Sequence, residues 1–146
     1  MNYLMIITED KGISTSLKAI FGEDYFIEDV QPECALKIIS KRRPRVILLD
    51  SQFTRVNSVE LLSELLTYDP TLTIIKLVSS FDKIARQSIE LGAFEVVEKP
   101  LDIEHLKHII KRAIEREKLL KAGEQNTPRN IEIPGIEENL YSELEK

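Results

Sequence analysis

Val46-Ile47-Leu48-Leu49-Asp50 is a run of four aliphatic residues closed by a carboxylate. The apolar residues are consecutive rather than alternating, as in a strand covered on both faces of a parallel sheet. Other runs follow the same plan on either side of it. Tyr3 to Ile7 leads into Thr8-Glu9-Asp10, and Leu72 to Val78 leads into Ser79-Ser80. Phe94 to Val97 leads into Glu98-Lys99-Pro100, and Tyr25-Phe26-Ile27 with Val30 makes a second, shorter strand. Lys76 is a flaw in an otherwise apolar run.

Amphipathic helical patterns separate these runs. Ile13, Leu17, Ile20 and Phe21 share one face before Gly22 stops the first helix. Pro32 suits a first turn, and Ala35, Leu36, Ile38 and Ile39 form the next stripe, ended before Pro44. The stretch from Ser51 to Asn57 is polar and irregular. Ser58 is placed to cap a third helix carrying Val59, Leu62, Leu65 and Leu66. A fourth helix is expected from about Asp82 to Leu91, ended by Gly92. Asp102 is expected to cap the last helix, whose apolar face carries Ile103, Leu106, Ile109, Ile110, Ala113 and Ile114 and which runs to about Lys121.

Strands alternating with amphipathic helices imply an α/β fold with a parallel sheet and helices on both faces. Right-handed crossovers make a flavodoxin-like, open, doubly wound, five-stranded sheet of order 2-1-3-4-5 the natural solution. In that order the first and third strands are neighbours, so Glu9 and Asp10 come close to Asp50. Ligands bind such sheets outside the carboxyl ends of the strands. The expected organisation is one domain over residues 1–121, then a linker and acidic C-terminal tail over 122–146.

The 146 residues are 42% hydrophobic and 31% charged, as in ordinary globular domains. No run is long enough to span a bilayer, and the N-terminus turns acidic at Glu9 rather than reading as a signal peptide. The single Cys34 excludes an internal disulfide, fits a reducing cytoplasm and is expected to be an inert packing thiol. The net charge of −5 argues against direct nucleic-acid binding, and no membrane partner is expected. Neither type of Gly-rich phosphate loop is present. His105 and His108 read as surface residues without a third ligand, and Lys41-Arg42-Arg43 with Arg45 reads as a solvated helix terminus.

Glu9, Asp10 and Asp50 place three negative charges together, of which Lys99 cancels one. Such a cluster favours a hard divalent cation with oxygen ligands, Mg²⁺ in particular. Taken in order, Thr8-Glu9-Asp10, Val46 to Asp50, Val78-Ser79-Ser80 and Val96 to Pro100 resemble the receiver domain of two-component response regulators. Residues 90–106, ELGAFEVVEKPLDIEHL, look especially like receivers of enhancer-binding transcriptional activators.

The resemblance implies a cytoplasmic phosphorylation switch rather than an enzyme, with no chemistry beyond its own phosphotransfer and autodephosphorylation. Asp50 would accept a phosphoryl group from a sensor histidine kinase or phosphotransfer protein. Glu9, Asp50 and the carbonyl of Gln52 would hold Mg²⁺. Asp10 serves as a nearby second acid or, equally, as a helix cap. Ser79, with Ser80 as competitor, and Lys99 would bind the phosphoryl oxygens, and Pro100 matches a proline usually in a cis bond. A homodimer is expected through the surface of the fourth helix, fifth strand and fifth helix, or through an extended last helix bearing Ile103, Ile110, Ala113, Ile114 and Leu120, the first four of which core packing explains equally well.

The chain departs from the family pattern in several places. Thr8 is neutral where an acid is usual, and Glu9 is a methylene longer than the usual aspartate. The segment from Ser79 to Gly92 is about two residues short. Val96 replaces the ring that ordinarily moves when the hydroxyl residue engages phosphate. A charge-assisted hydrogen bond from Ser79 contributes about 1.5–3 kcal/mol, whereas moving an equilibrium from 1:99 to 99:1 takes about 5.5 kcal/mol. Lys99 and repacking of the helix-four surface must then supply the rest, or the switch is partial. Two other readings stand beside the switch. One is a pseudo-receiver acting as a phosphorylation-independent dimerisation or protein-binding module. The other is an aspartate-nucleophile phosphohydrolase, disfavoured because Gln52 stands where a second acid is needed.

Overall fold

The computed structural model describes residues 1–126; the linker and acidic tail expected further on lie outside the described residues, apart from the first positions of that segment. The elements run β1 (Asn2–Ile7), α1 (Lys11–Phe21), β2 (Tyr25–Val30), a 3-10 turn (Pro32–Cys34), α2 (Ala35–Lys41), β3 (Val46–Leu49), α3 (Ser58–Tyr68), β4 (Ile74–Val78), α4 (Lys83–Leu91), β5 (Glu95–Glu98) and α5 (Ile103–Asn126). The five strands form one sheet in the order β2-β1-β3-β4-β5, and every neighbouring pair is parallel. This is the expected doubly wound α/β architecture.

The central strands are buried on both faces, which is why their sequences are unbroken aliphatic runs. Leu4, Ile6, Leu48, Ile75, Leu77 and Val97 pack on one side with Leu17, Phe21, Leu106, Ile109 and Ile110 from α1 and α5. Met5, Ile7, Ile47, Leu49 and Ile74 pack on the other with Ala35, Ile39, Leu61, Leu62 and Leu65 from α2 and α3. Each of these side chains other than Ala35 contributes roughly 1.5–3 kcal/mol when buried. Val78, Ala85 and Val96 form a third, small cluster under α4.

Several local expectations need correction. Asn57, not Ser58, caps α3: its Oδ1 accepts from the main-chain N–H groups of Val59 and Glu60 at 2.9 and 3.0 Å. Ser58 is the first helical residue and is buried. Ile20 and Leu36 lie toward solvent at the edges of their stripes. Cys34 is exposed in the 3-10 turn rather than packed in a helix. Arg42 and Arg43 are exposed at the helix end, as expected, but they are paired rather than free. Arg42 pairs with Glu28 at 2.7 Å, and Arg43 bridges Asp69 at 3.0 Å and Glu117 at 2.7 Å.

Asp102 caps α5 as expected, accepting from the His105 N–H at 3.2 Å. The helix continues past Lys121 to Asn126. Ile110, Ala113 and Ile114 are core residues and offer no dimer face, whereas Leu119 and Leu120 are exposed. Gly92 ends α4 with φ 115°, in the left-handed region where a side chain would be strained. No helix among the described residues is long and apolar enough to cross a membrane.

Candidate functional site

Parallel pairing brings the carboxyl ends of β1, β3, β4 and β5 to one rim. Ile7 lies opposite Leu49 in register, so Thr8 stands beside Asp50. The Asp50 N–H donates to the Ile7 carbonyl at 2.9 Å, and the Lys99 N–H donates to the Val78 carbonyl at 2.8 Å. These bonds place Asp50 against β1 and Lys99 against the end of β4, next to Ser79.

Asp50 is 1% exposed. Oδ1 takes a salt bridge from Lys99 Nζ at 2.7 Å and accepts the Ser51 N–H at 2.8 Å. Oδ2 accepts the Thr8 hydroxyl at 2.8 Å. The Thr8 hydroxyl in turn accepts the Asp10 N–H at 3.0 Å. A buried carboxylate without partners would be strongly disfavoured. Here each oxygen has a donor, and the charge faces an ammonium.

The other acids are engaged elsewhere. Glu9 reaches over the loop after β3, where Oε1 accepts the Thr54 N–H at 3.0 Å. Asp10 Oδ1 caps α1, accepting from Gly12 and Ile13 N–H groups at 2.8 and 3.3 Å. Of the two roles expected for Asp10, capping is the one observed. Gln52 is exposed on the same loop. Among the described residues no three His, Cys, Asp or Glu side chains gather as a ready metal-holding group. The donors expected there apart from Asp10, namely Asp50, Glu9 and the Gln52 carbonyl, are all oxygens. Mg²⁺ is served by one or two carboxylates when phosphate and water complete its shell. The set fits in kind, with Glu9 shared with Thr54 and Asp10 outside it.

Ser79 and Ser80 are exposed just past β4. Ser80 Oγ donates to Asp82 Oδ2 at 3.2 Å, and Asp82 caps α4 by accepting from Ile84 N–H at 3.0 Å. Ser79 directly follows Val78, whose carbonyl meets the Lys99 N–H, and takes no part in that cap. Val96 is buried against Val78 and Ala85. The Lys99–Pro100 bond is cis.

The sequence reading missed several participants. Ser51 supplies a main-chain donor to Asp50, and its hydroxyl bonds the Leu77 carbonyl. Lys76, the apparent flaw, is wholly buried and donates to Ser88 Oγ on α4 at 3.1 Å. Burial lowers its pKa to about 8, against support from the Asp50 charge. A lone lysine in an apolar run was the available signal. Far from the rim, Glu117 is buried on α5 and accepts from Thr73 at 2.7 Å as well as from Arg43. Its place in the stripe Leu106, Ile110, Ala113, Glu117 was the signal there.

Residues 4–111 match the response regulator receiver domain. The chain belongs to that family. A response regulatory protein of Vibrio cholerae is 33% identical to this receiver over 135 residues, spanning 89% of this chain and 56% of its own length. The DNA-binding transcriptional regulator NtrC of Salmonella typhimurium is 29% identical over 109 residues, 74% of this chain and 22% of that protein. The crystal structure of a CheY-like receiver domain protein from Methanospirillum hungatei superposes with a TM-score of 0.72. It is 23% identical and covers 81% of this chain and 98% of its own, a likeness of fold. The receiver spans about half the length of the first curated relatives it matches, 40% and 56%.

Proposed function

We propose that this receiver is a phosphorylation-dependent switch in which Asp50 accepts a phosphoryl group from a phosphohistidine of a sensor histidine kinase or phosphotransfer protein. The supporting observation is the buried Asp50 carboxylate facing Lys99 at 2.7 Å on the rim of the sheet. A carboxylate oxygen attacks phosphorus, the new O–P bond forms as the P–N bond breaks, and the leaving imidazole takes up a proton. Among the described residues Oδ2 is held only by the neutral Thr8 hydroxyl, whereas Oδ1 has an ionic partner. Charge-assisted bonds are about twice as strong as neutral ones, so Oδ2 is the oxygen released at lower cost and the nucleophile. Lys99 stays beside Asp50 to offset the added negative charge, and Ser79 would donate to a phosphoryl oxygen.

Mg²⁺ would be held by Asp50, Glu9 and the Gln52 carbonyl, and when bound it supplies positive charge against the phosphoryl oxygens. The readout in this proposal is altered self-association or partner binding through the α4–β5–α5 surface, where Phe81, Ile84, Ile89 and Leu91 are exposed. Incubation with acetyl phosphate and Mg²⁺ should add the mass of one phosphoryl group, and Asp50→Asn should abolish the gain. An unchanged wild-type mass under conditions that label an ordinary receiver refutes the reading.

A second reading is a phosphorylation-independent binding module. It is favoured by one observation: both Asp50 oxygens are already satisfied within the chain, one of them by Thr8 in place of an acid. It requires Asp50→Asn to leave self-association and partner binding unaltered, measured by sedimentation and pull-down.

A further inference from the structure

Lys76 lies in the middle of β4, opposite Leu49 of β3 on one side and Val96 of β5 on the other. Its side chain is fully buried. An ammonium carries three donors, yet the one hydrogen-bond partner found for it among the described residues is Ser88 Oγ, at 3.1 Å. Ser88 is itself buried in α4, and its hydroxyl donates to the Ile84 carbonyl one turn earlier at 2.8 Å. Lys76 therefore joins the central sheet to α4 through a polar chain inside an otherwise apolar contact of Val78, Ala85 and Val96.

An under-satisfied buried cation is costly, and its position is set by whatever negative charge is near. Asp50 directly follows Leu49, the residue opposite Lys76 in register, and its charge favours the ammonium against the effect of burial. The neighbour that would sense Asp50 by moving, residue 96, is a valine packed in place. The cation stands next to it in register.

We propose that Lys76 is a positioning residue that carries the charge state of Asp50 to α4: more negative charge at Asp50 draws the ammonium toward the rim and away from Ser88, and less charge strengthens its hold on Ser88. α4 is otherwise held over the sheet by a small cluster of three buried apolar residues. Loss of the Ser88 tether frees its sheet-facing side, and the exposed Ile84, Ile89 and Leu91 shift with it. The phosphate-dependent part of this inference rests on the proposed function, but the coupling between Asp50 and α4 does not.

The test is a cycle read by amide and lysine-ammonium NMR on the full chain. Asp50→Asn removes the charge without any phosphoryl transfer. In the Lys76 background it should shift the Ile84, Gln87 and Ser88 amides and the Lys76 Nζ resonance. In the Lys76→Met background the same change should move those amides less than one third as far. Equal α4 shifts in both backgrounds overturn the relay. In the second arm, acetyl phosphate and Mg²⁺ are added to wild type and to Lys76→Met. Equal mass gains with a diminished α4 response in the variant support the relay, and equal α4 responses overturn it. Wild type that gains no mass but shows a positive cycle keeps the relay and removes the phosphorylation reading. Ser88→Ala should reproduce the loss of response with Lys76 intact, which separates a broken tether from a merely repacked core.

Discussion

The Thr8 hydroxyl donates to Oδ2 of Asp50 at 2.8 Å, buried, across the junction of β1 and β3. A neutral donor thus stands where a further carboxylate would face Asp50. Thr8→Ala should leave Oδ2 without a donor and cost about 1–3 kcal/mol, seen as a lower urea midpoint. Thr8→Asp should cost more in chelator, because two carboxylates then share the junction, and Mg²⁺ should restore much of the loss. A variant indifferent to Mg²⁺ would show that the rim cannot take the cation.

Lys99 and Asp50 form an ion pair whose acid is nearly inaccessible. Removing one partner leaves the other charge buried, which costs about 3–5 kcal/mol in closed sites. Lys99 retains some exposure, so Lys99→Met should cost about 3 kcal/mol, the low end. Asp50→Asn should cost less, since the amide still meets Thr8 and the ammonium can turn to water. Chemical denaturation of both variants checks the order.

Lys76 gives a pH signature. Its folded pKa is about 8, against an ordinary lysine value of 10.5, because burial disfavours the ammonium. Between those values the unfolded chain binds more protons than the folded one, so stability rises with pH. The full effect is about 3 kcal/mol. Tyr3 acts in the opposite sense higher up: burial and Glu28 raise its pKa to about 12, so stability falls above pH 10 as the unfolded phenol ionises. Denaturant midpoints from pH 7 to 9.5 should climb in wild type, and this part of the climb should be missing in Lys76→Met.

Glu117 ties α5 to the amino-terminal ends of the strands through Arg43 and Thr73. Glu117→Ala should cost about 1.5–3 kcal/mol, as for lost hydrogen bonds to a charged group. Amides of α5 after Ala113 should lose hydrogen-exchange protection, while those of β1 and β3 keep their relative order. Uniform loss across the domain would contradict this anchoring role.

Asn57 and Ser58 separate cap from core at α3. Asn57→Ala should cost about 1 kcal/mol by freeing two helix N–H groups. Ser58→Ala should leave the cap intact, and its helix should show the same exchange rates in the first turn.

The strands were legible because buried parallel strands demand consecutive aliphatics, as in Val46 to Leu49, and their order followed from right-handed crossovers in a doubly wound sheet. Helix ends at Asp82, Gly92 and Asp102 were legible because capping is local chemistry. The cap of α3 was displaced by one residue because Asn57 and Ser58 are both good caps in isolation. The ion pairs of Arg42 and Arg43 were not legible because their acids, Glu28, Asp69 and Glu117, lie in other elements.

Residue order alone determined that this chain folds as five βα units and that Asp50, Ser79 and Lys99 end up on one rim. Burial periodicity acts along each segment, and right-handed crossovers between parallel strands put every strand's carboxyl end on the same rim whatever the side-chain partners. Only the tertiary structure decided that Thr8 holds Asp50, that Asp10 serves α1, that Lys76 reaches Ser88 and that Glu117 receives Arg43. Those pairs are separated by up to 74 residues. Hydrogen bonds depend on direction and on distances of a few tenths of an ångström, quantities that exist only after the sheet has brought the side chains together.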